Sequence, residues 1–271
     1  MPAPERPQAR ILIVAGSDSG GGAGIQADIK TVTALGHYAM TAVTAITVQD
    51  TKGVHAIHPV PSFFIGAQMR VCLDDIGADA IKTGMLHDAG VIAAVTAEIS
   101  RLTVRPRLVV DPVMVAKGGH RLVDGTAIDA LKRDLLPHTT VLTPNVPEAE
   151  TLTGTTIRDV DDLEHAGRML MSLGPEAVLM KGGHLPGDSV TDVLVSEEGV
   201  RVFEAQRIDT RHTHGTGCTL ASAIATHLGA GRTIGEAVAL AREFVREAML
   251  KAPGFGAGHG PLGHARAGRA Q

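Results

Sequence analysis

Short apolar runs alternate with helix-like patterns along almost the whole chain. Runs such as 10–15 and 41–48 are rich in β-branched residues, and the stretches between them repeat apolar residues at helical spacing. Strands that alternate with helices form βαβ crossovers, which favour a largely parallel sheet covered by helices on both faces. The sequence therefore predicts one α/β domain, with no internal repeat and no linker that divides it.

The predicted elements follow in a regular order. Strands are expected at 10–15, 41–48, 80–82, 107–110, 140–142 and 177–180, and then a hairpin of 190–196 and 199–205. Helices are expected at 24–35, 62–73, 88–102, 126–135, 147–152, 161–173, 217–228 and 234–251. Residues 1–10 are predicted to be a flexible N-terminus, 11–251 the domain, and 252–271 a partly flexible tail.

Composition narrows the class of protein. Hydrophobic residues make up 44% of the 271 positions, yet there are five Phe, one Tyr and no Trp, so the core is expected to be aliphatic. A net charge of −4 without a basic block argues against nucleic acid as the partner. The two cysteines, Cys72 and Cys218, form no disulfide framework or zinc motif. Neither a membrane span nor a signal peptide is recognisable, so a cytoplasmic protein is expected.

The turn His-Thr-His-Gly-Thr-Gly-Cys-Thr at 212–219 leads directly into an apolar stretch at 220–228. A glycine-rich turn at a helix start collects unpaired N–H groups and the positive end of the helix dipole, which suits an anion. Cys218 lies in that first turn, where a thiolate is favoured. The turn therefore indicates phosphoryl transfer. A zinc site at His212 and His214 would need further ligands, and a loop-shaping role is expected for His214.

A second glycine-rich segment, 15–24, lies between the first strand and the first helix. Its glycines would let a ligand approach the backbone and would supply anion-binding amides. The segment is not a P-loop, because no Gly-Lys-Ser/Thr follows. Residues 22–27 fit G-x-G-x-x-A, so a dinucleotide fingerprint and a simple flexible turn both remain open.

Polar residues follow several other predicted strands, at the edge where open α/β sheets bind ligands. Gln49 offers amide donors and an acceptor to a heterocycle, and Met85 offers apolar contact to a flat ring. Asp111, with Lys-Gly-Gly at 117–119 close behind, suits Mg²⁺, and Lys181 suits nucleotide phosphate. An exposed Gln, a core Met and a turn-forming Asp are the structural alternatives.

Asn145 and Glu148 permit two interpretations. Asn145 is a natural N-cap, Pro147 fits the first turn of a helix, and Glu148 can complete a capping box. The same oxygens can hold a water-coordinated Mg²⁺. Cap residues can do both.

Taken in order, these motifs resemble the hydroxymethylpyrimidine/phosphomethylpyrimidine kinases of thiamine biosynthesis, within the ribokinase-like superfamily. The resemblance runs from Ile11 to about Lys251 and includes the Gly-His-Gly-Pro-Leu at 258–262. Its motifs are Ala15-Gly16-Ser17-Asp18, Gly21-Gly22-Ala23-Gly24-Ile25-Gln26-Ala27-Asp28, Val48-Gln49, Lys82-Thr83-Gly84-Met85, Asp111-Pro112-Val113-Met114, Thr143-Pro144-Asn145-x-x-Glu148, Met180-Lys181-Gly182-Gly183-His184 and His214-Gly215-Thr216-Gly217-Cys218.

The resemblance implies a three-layer α/β/α fold with a mostly parallel sheet and a small β flap. It implies that ATP, with Mg²⁺, phosphorylates an aminopyrimidine alcohol and then its monophosphate. A homodimer is expected, although the sequence does not set the oligomeric state. The pyrimidine pocket would be lined by Gly16, Ala23, Asp28, Gln49, Met85 and Val113. Mg²⁺ would be organised by Asp111, Asn145 and Glu148, and the nucleotide would be bound by Lys181, Asn145 and Gly217. The anion hole and catalytic group would be Gly215, Thr216, Gly217 and Cys218.

Cys218 either accepts the proton of the substrate hydroxyl or only orients it. Ribokinase-like sugar kinases have an Asp at this place in the turn, whereas Cys is found in the vitamin kinases, including pyridoxal kinases. A pyridoxal kinase or a dual-specificity vitamin kinase is therefore the first alternative function. A dinucleotide-binding oxidoreductase is the alternative from another class.

Overall fold

The computed structural model describes residues 8–115 and 123–268, whose centre is one nine-stranded sheet in the order β3-β2-β1-β4-β5-β6-β7-β8-β9. The strands are β1 Arg10–Ser17, β2 Tyr38–Gln49, β3 Val54–Pro59, β4 Ala80–Thr83, β5 Arg107–Val110, β6 Val141–Leu142, β7 Ala177–Met180, β8 Ser189–Ser196 and β9 Gly199–Gln206. Strands β2, β1, β4, β5, β6 and β7 are parallel, and β3, β8 and β9 are antiparallel to their neighbours. The predicted mostly parallel sheet is confirmed.

Helices follow the strands as predicted. They are α1 Gly24–Ala34, α2 Ser62–Asp75, α3 Ala89–Ser100, α4 Gly125–Ala130, α5 Val146–Thr153, α6 Val160–Met171, α7 Thr216–Gly229 and α8 Ile234–Leu250. Helix α4 continues as a π turn over Leu131–Leu135, so the two together cover the predicted helix 126–135. No helix in 8–115 or 123–268 is long and apolar enough to cross a membrane.

Alternation along the strands divides the core into two layers. In β1, Leu12 and Val14 join one apolar cluster, whereas Ile11 and Ile13 join the other. Helices α2 to α6 contribute to the first cluster, and α1, α7 and α8 to the second. Because successive side chains of a strand point to opposite faces, the sheet buries apolar surface on both sides. The three-layer α/β/α arrangement is confirmed.

Strand β3 was missed by the sequence reading. It pairs antiparallel with β2 at the edge of the sheet, and most of its side chains are exposed or half-buried. Two histidines and Pro59 lie in this short edge strand, so it lacks the apolar alternation that indicates a strand. The β2–β3 hairpin corresponds to the expected small β flap, since Gln49 and Val54 at its turn line the cavity described below.

Part of the predicted C-terminal tail is packed against the domain. The N–H of His259 donates to the carbonyl of Thr51 at 2.8 Å, and the N–H of Gly263 donates to that of Ala248 at 2.8 Å. Leu262 and His264 are buried. The packed structure therefore extends past 251, to residue 268. The predictions for residues 1–7, 117–119 and 269–271 concern positions outside the described residues.

Candidate active site

A cavity of about 1590 Å³ opens at the carboxyl ends of the parallel strands. Because these ends share one edge of the sheet, motifs far apart in sequence meet there. All but one of the predicted site residues line it: Gly16, Ala23, Gln49, Met85, Asp111, Val113, Asn145, Glu148, Lys181, Gly215, Thr216, Gly217 and Cys218. A volume of this size exceeds that of a typical single-ligand pocket and can hold two ligands side by side.

The glycine-rich turn begins helix α7, as predicted. Gly215 is the N-cap, with a φ of 83°, and a Cβ there would collide with the carbonyl of Gly22. Only glycine combines this backbone conformation with so close an approach. The first N–H groups of a helix have no intrahelical acceptor. A Cβ on Gly217 would lie 3.3 Å from the Lys181 Nζ, so this end of the helix faces a cation.

The Cys218 thiol lies at the floor of the cavity. The backbone N–H of Gly24 acts to lower the pKa of the thiol, and the residue is half-buried. Burial among protein atoms raises the pKa of the thiol to about 11, although Lys82 opposes that rise. The expectation of a favoured thiolate is therefore wrong for the unliganded protein, because desolvation outweighs the helix N-terminus.

Lys181 pairs with the two acidic residues of the site. Its Nζ lies 3.0 Å from the Asp111 Oδ1 and 3.9 Å from the Glu148 Oε2. Burial alone would lower the pKa of Lys181, but these two carboxylates raise it, so the ammonium stays charged. Burial also raises the pKa of Glu148 to about 7, with Asp111 adding to the rise and Lys181 opposing it.

The capping box at the start of α5 is present. The Asn145 Oδ1 accepts the N–H of Glu148 at 3.0 Å, and the Glu148 Oε2 accepts the N–H of Asn145 at 2.8 Å. The Asn145 oxygen is thus already engaged. No group of three or more His, Cys, Asp or Glu side chains suited to a metal exists within 8–115 and 123–268. The residues predicted to bind Mg²⁺ therefore offer two carboxylates, those of Asp111 and Glu148, and the Asn145 amide, which already serves as the helix cap.

The Asp18 carboxylate lies inside the first glycine-rich loop and binds its backbone N–H groups. Its carboxylate accepts the N–H groups of Gly20, Gly22 and Ala23 at 2.8–3.0 Å, and the His214 Nε2 at 2.8 Å. Amides that would bind a pyrophosphate are thus occupied by the protein's own anion. The prediction that this loop supplies anion-binding amides is wrong, and the dinucleotide fingerprint loses its chemical basis. His214 links the two glycine-rich segments, which agrees with its expected loop-shaping role.

Gln49 is held from both sides by this network. Its amide lies 3.4 Å from the His214 Nε2 and 3.1 Å from the Thr47 Oγ1. The Thr47 hydroxyl has one hydrogen and donates it to the carbonyl of Ser17 at 2.7 Å. The donors and acceptors match best when the Gln49 NH₂ faces Thr47 and its Oε1 faces His214, which shares its Nε2 hydrogen with Asp18, and the shape of an amide permits this exchange. Gln49 therefore meets the cavity in a fixed orientation.

Asp28 does not line the cavity, which corrects its predicted place in the pyrimidine pocket. The side chain is fully buried, and its carboxylate pairs with the Lys82 Nζ at 2.8 Å and accepts the Ser222 hydroxyl at 2.7 Å. Asp28 lies on the buried face of α1. The sequence alone cannot distinguish a carboxylate that contacts a ligand from one that pairs with a buried lysine. Lys82 itself does line the cavity.

Arginines at the far rim of the cavity were also missed. Arg207 donates to the carbonyls of Gly183, Leu185 and Gly187 at 2.6–2.9 Å, so it shapes the loop between β7 and β8. Arg201, Arg242 and Arg246 line the same rim. In the sequence they are indistinguishable from solvent-facing charges on a hairpin and a helix.

Known proteins share this chain's sequence and fold. The family described as phosphomethylpyrimidine kinase matches residues 18–263. A hydroxymethylpyrimidine/phosphomethylpyrimidine kinase of Bacillus subtilis is 45% identical over 94% of both chains. A thiamine biosynthesis bifunctional protein of Geobacter sulfurreducens is 49% identical over 95% of this chain, which spans only 52% of that relative. The ADP complex of a Bacillus subtilis pyridoxal kinase has a TM-score of 0.87 and 36% identity, covering 96% of this chain and 98% of that one.

The match to the family extends from the Asp18 loop, through the Asp111 and Asn145 motifs, to the C-terminal segment packed on Thr51. It thus includes every strand end that forms the cavity except that of β1. The chain belongs to the phosphomethylpyrimidine kinase family.

Proposed function

We propose that this protein transfers the γ-phosphoryl group of ATP to the hydroxymethyl group of 4-amino-5-hydroxymethyl-2-methylpyrimidine, and then adds a second phosphoryl group to the monophosphate. The observation that carries the proposal is the meeting, in one cavity, of the Gly215–Cys218 helix start with Lys181 on one side and Gln49 on the other. An anion site beside a fixed amide suits a phosphoryl donor next to a polar heterocycle.

The nucleotide is placed along the side of the cavity formed by Lys181, the β7–β8 loop and the rim arginines. Lys181 neutralises phosphate oxygens, and the N–H groups of Gly217 and Cys218 hold the transferred group. Such fixed charges and dipoles supply most of the rate in phosphoryl transfer, because the reaction needs alignment more than covalent chemistry.

Mg²⁺ fits the acidic side of the site. Asp111 and Glu148 present oxygen ligands of the kind that hard cations prefer, and the open cavity leaves room for coordinating water. We assign direct or water-mediated contact to these two carboxylates and a water-mediated contact to Asn145, whose oxygen serves the cap. When bound, the ion would offset the negative charge of the phosphates.

The substrate is placed against Gln49, with Gly16, Ala23, Met85 and Val113 as the remaining wall. Its hydroxymethyl oxygen then points at the Gly215–Cys218 turn. Cys218 faces this oxygen, either as the acceptor of its proton or as the group that orients it.

Pyridoxal is the second candidate substrate, because a pyridoxal kinase shares 36% identity and the same fold. A coupled ADP-release assay with hydroxymethylpyrimidine, its monophosphate and pyridoxal decides between them. We expect kcat/KM for the pyrimidine to exceed that for pyridoxal at least tenfold. A preference for pyridoxal of that size would contradict the proposal.

We also propose a homodimer, supported by the apolar side chains of Ile46, Val48, Phe63 and Phe64, which are more than half exposed on β2 and α2. Light scattering should give twice the 28.1 kDa of one chain, whereas a single-chain mass would contradict this. A cytoplasmic location and the absence of a nucleic-acid partner stay predictions.

A further inference from the structure

Lys82 is a fully buried cation that lines the same cavity as the Gly215–Cys218 turn. It belongs to β4, between Ile13 of β1 and Val109 of β5, so its stem is fixed by two neighbouring strands. Its side chain is 0% exposed to solvent, yet it contributes to the cavity floor. A Cβ on Gly84, at the end of the same strand, would lie 3.1 Å from the Lys82 Nζ. A charged group in such a place is costly unless it is paired, which indicates a use for the charge.

The Lys82 ammonium is held by Asp28, which does not line the cavity. The Asp28 Oδ2 lies 2.8 Å from the Lys82 Nζ, and the Asp28 Oδ1 accepts the Ser222 hydroxyl at 2.7 Å. Burial raises the pKa of Asp28, while Lys82 and Ser222 lower it, and the nearby carboxylates raise the pKa of Lys82. We take the pair as ionised because the Lys82 ammonium and the Ser222 hydroxyl both donate to the Asp28 carboxylate. Within the described residues, Asp28 is the one oxygen acceptor hydrogen-bonded to Lys82, so two ammonium hydrogens remain for other neighbours.

Ser222 and Cys218 lie one turn apart on the same face of α7, so the Asp28–Lys82 pair bound by Ser222 lies against the helix face that carries Cys218. Four charged groups interact with Cys218: Lys82, Asp28, Asp111 and Lys181. Lys181 already faces Asp111 and the phosphate side. Lys82 is thus the cation whose position relative to the thiol is fixed by packing rather than by the bound nucleotide.

We propose that Lys82 is a positioning residue for phosphoryl transfer: Asp28 and Ser222 fix its ammonium against the helix face that carries Cys218, where the charge offsets part of the cost of forming the thiolate that accepts the substrate proton. In the step, the hydroxymethyl oxygen forms the bond to the γ-phosphorus while its proton passes to the Cys218 Sγ. The bond from phosphorus to the bridging oxygen breaks, and its electron pair leaves with ADP. Because the resting form is the thiol, each turnover begins with loss of the Sγ proton to water, and the proton taken from the substrate then restores the thiol. This inference rests on the proposed kinase function.

The test is a double-mutant cycle in the ADP-release assay with hydroxymethylpyrimidine. Lys82→Met should lower kcat roughly 10²-fold, within the range for loss of a proton acceptor, and leave both KM values within about twofold. In a Cys218→Ala background, the same substitution should lower kcat by less than about twofold, because Lys82 acts through the thiol. The alkaline rise of kcat should also shift to higher pH in Lys82→Met.

Equal losses in the two backgrounds would overturn the inference, as would a normal kcat in either Lys82→Met or Cys218→Ala. If Lys82→Met fails to fold, the neutral pair Asp28→Asn with Lys82→Gln removes the charge while keeping hydrogen bonds, and the same outcomes apply to it. Arg10→Met is the matched control: it breaks the Arg10–Asp79 ion pair at the opposite end of β1 and β4 and should leave kcat unchanged. A folded wild-type protein that releases no ADP would contradict the proposed function instead.

Discussion

Lys82 and Lys181 are the same residue type at the same edge of the sheet, and each pairs with an aspartate, at 2.8 Å and 3.0 Å respectively. Their surroundings differ. Lys82 and Asp28 are both 0% exposed, with a strand on either side and helices above. Lys181 follows the end of β7, is 13% exposed, and faces two carboxylates across an open cavity.

The same residue type therefore serves two purposes in this site. An ion pair with no exposed side-chain surface leaves no room for a competing partner, so its charge has a fixed position. An ion pair at a cavity wall can exchange its carboxylate for a phosphate when a nucleotide arrives. We therefore interpret Lys82 as a permanent part of the site and Lys181 as a cation that the bound ligand shares with Asp111.

The largest expected effect on stability is at the sealed pair. Lys82→Met leaves the Asp28 carboxylate buried and unpaired, which should lower the free energy of unfolding by about 3–5 kcal/mol. Urea denaturation measures this loss. Asp28→Leu combined with Lys82→Met removes both charges and should recover most of it. A single substitution that costs less than about 1 kcal/mol would show that the pair is not sealed.

At the open pair, the effect should fall on activity instead of stability. Lys181→Met leaves Asp111 and Glu148 without their cation, but Glu148 can take up a proton, since burial already raises its pKa to about 7. The free energy of unfolding should therefore fall by less than in Lys82→Met, while kcat/KM for ATP falls about 10²–10³-fold. Unchanged steady-state kinetics would contradict the exchangeable role.

A smaller expected effect concerns how the free energy of unfolding depends on pH at the open pair. The pKa of Glu148 rises from 4.5 to about 7 on folding, so its contribution to stability is present below pH 4.5 and is lost as the pH rises to 7. Glu148→Gln keeps a capping side chain but does not titrate. In metal-free protein, wild type should therefore lose up to about 3 kcal/mol relative to this variant between pH 4.5 and 7. Parallel pH profiles in urea denaturation would refute the raised pKa.

The sequence predicted what depends on local pattern. Strand ends, the Asn145 cap and the helix start at Gly215 carry their signals within a few residues, and the parallel sheet then brings them to one edge. It did not predict contacts between distant residues. Asp28 was placed toward the ligand because a helix reveals which residues share a face but not what lies opposite that face.

The C-terminal segment shows the same limit. Its glycines and histidines are typical of a tail, yet the backbone of His259 bonds to Thr51 and that of Gly260 accepts from His214. Backbone pairing leaves no pattern in side-chain chemistry. Asp18 likewise lies in a recognisable motif. That its carboxylate binds the N–H groups of its own loop follows only from the folded geometry.

We propose that the cavity performs two successive phosphoryl transfers to one pyrimidine. The most direct test is a ³¹P NMR time course with the purified protein, ATP, Mg²⁺ and hydroxymethylpyrimidine. We predict that a phosphomonoester signal appears first and is then replaced by the two signals of a diphosphate ester, as the γ-phosphate signal of ATP declines. Decline of the ATP signal without any phosphorylated pyrimidine, or no decline at all, would contradict the account.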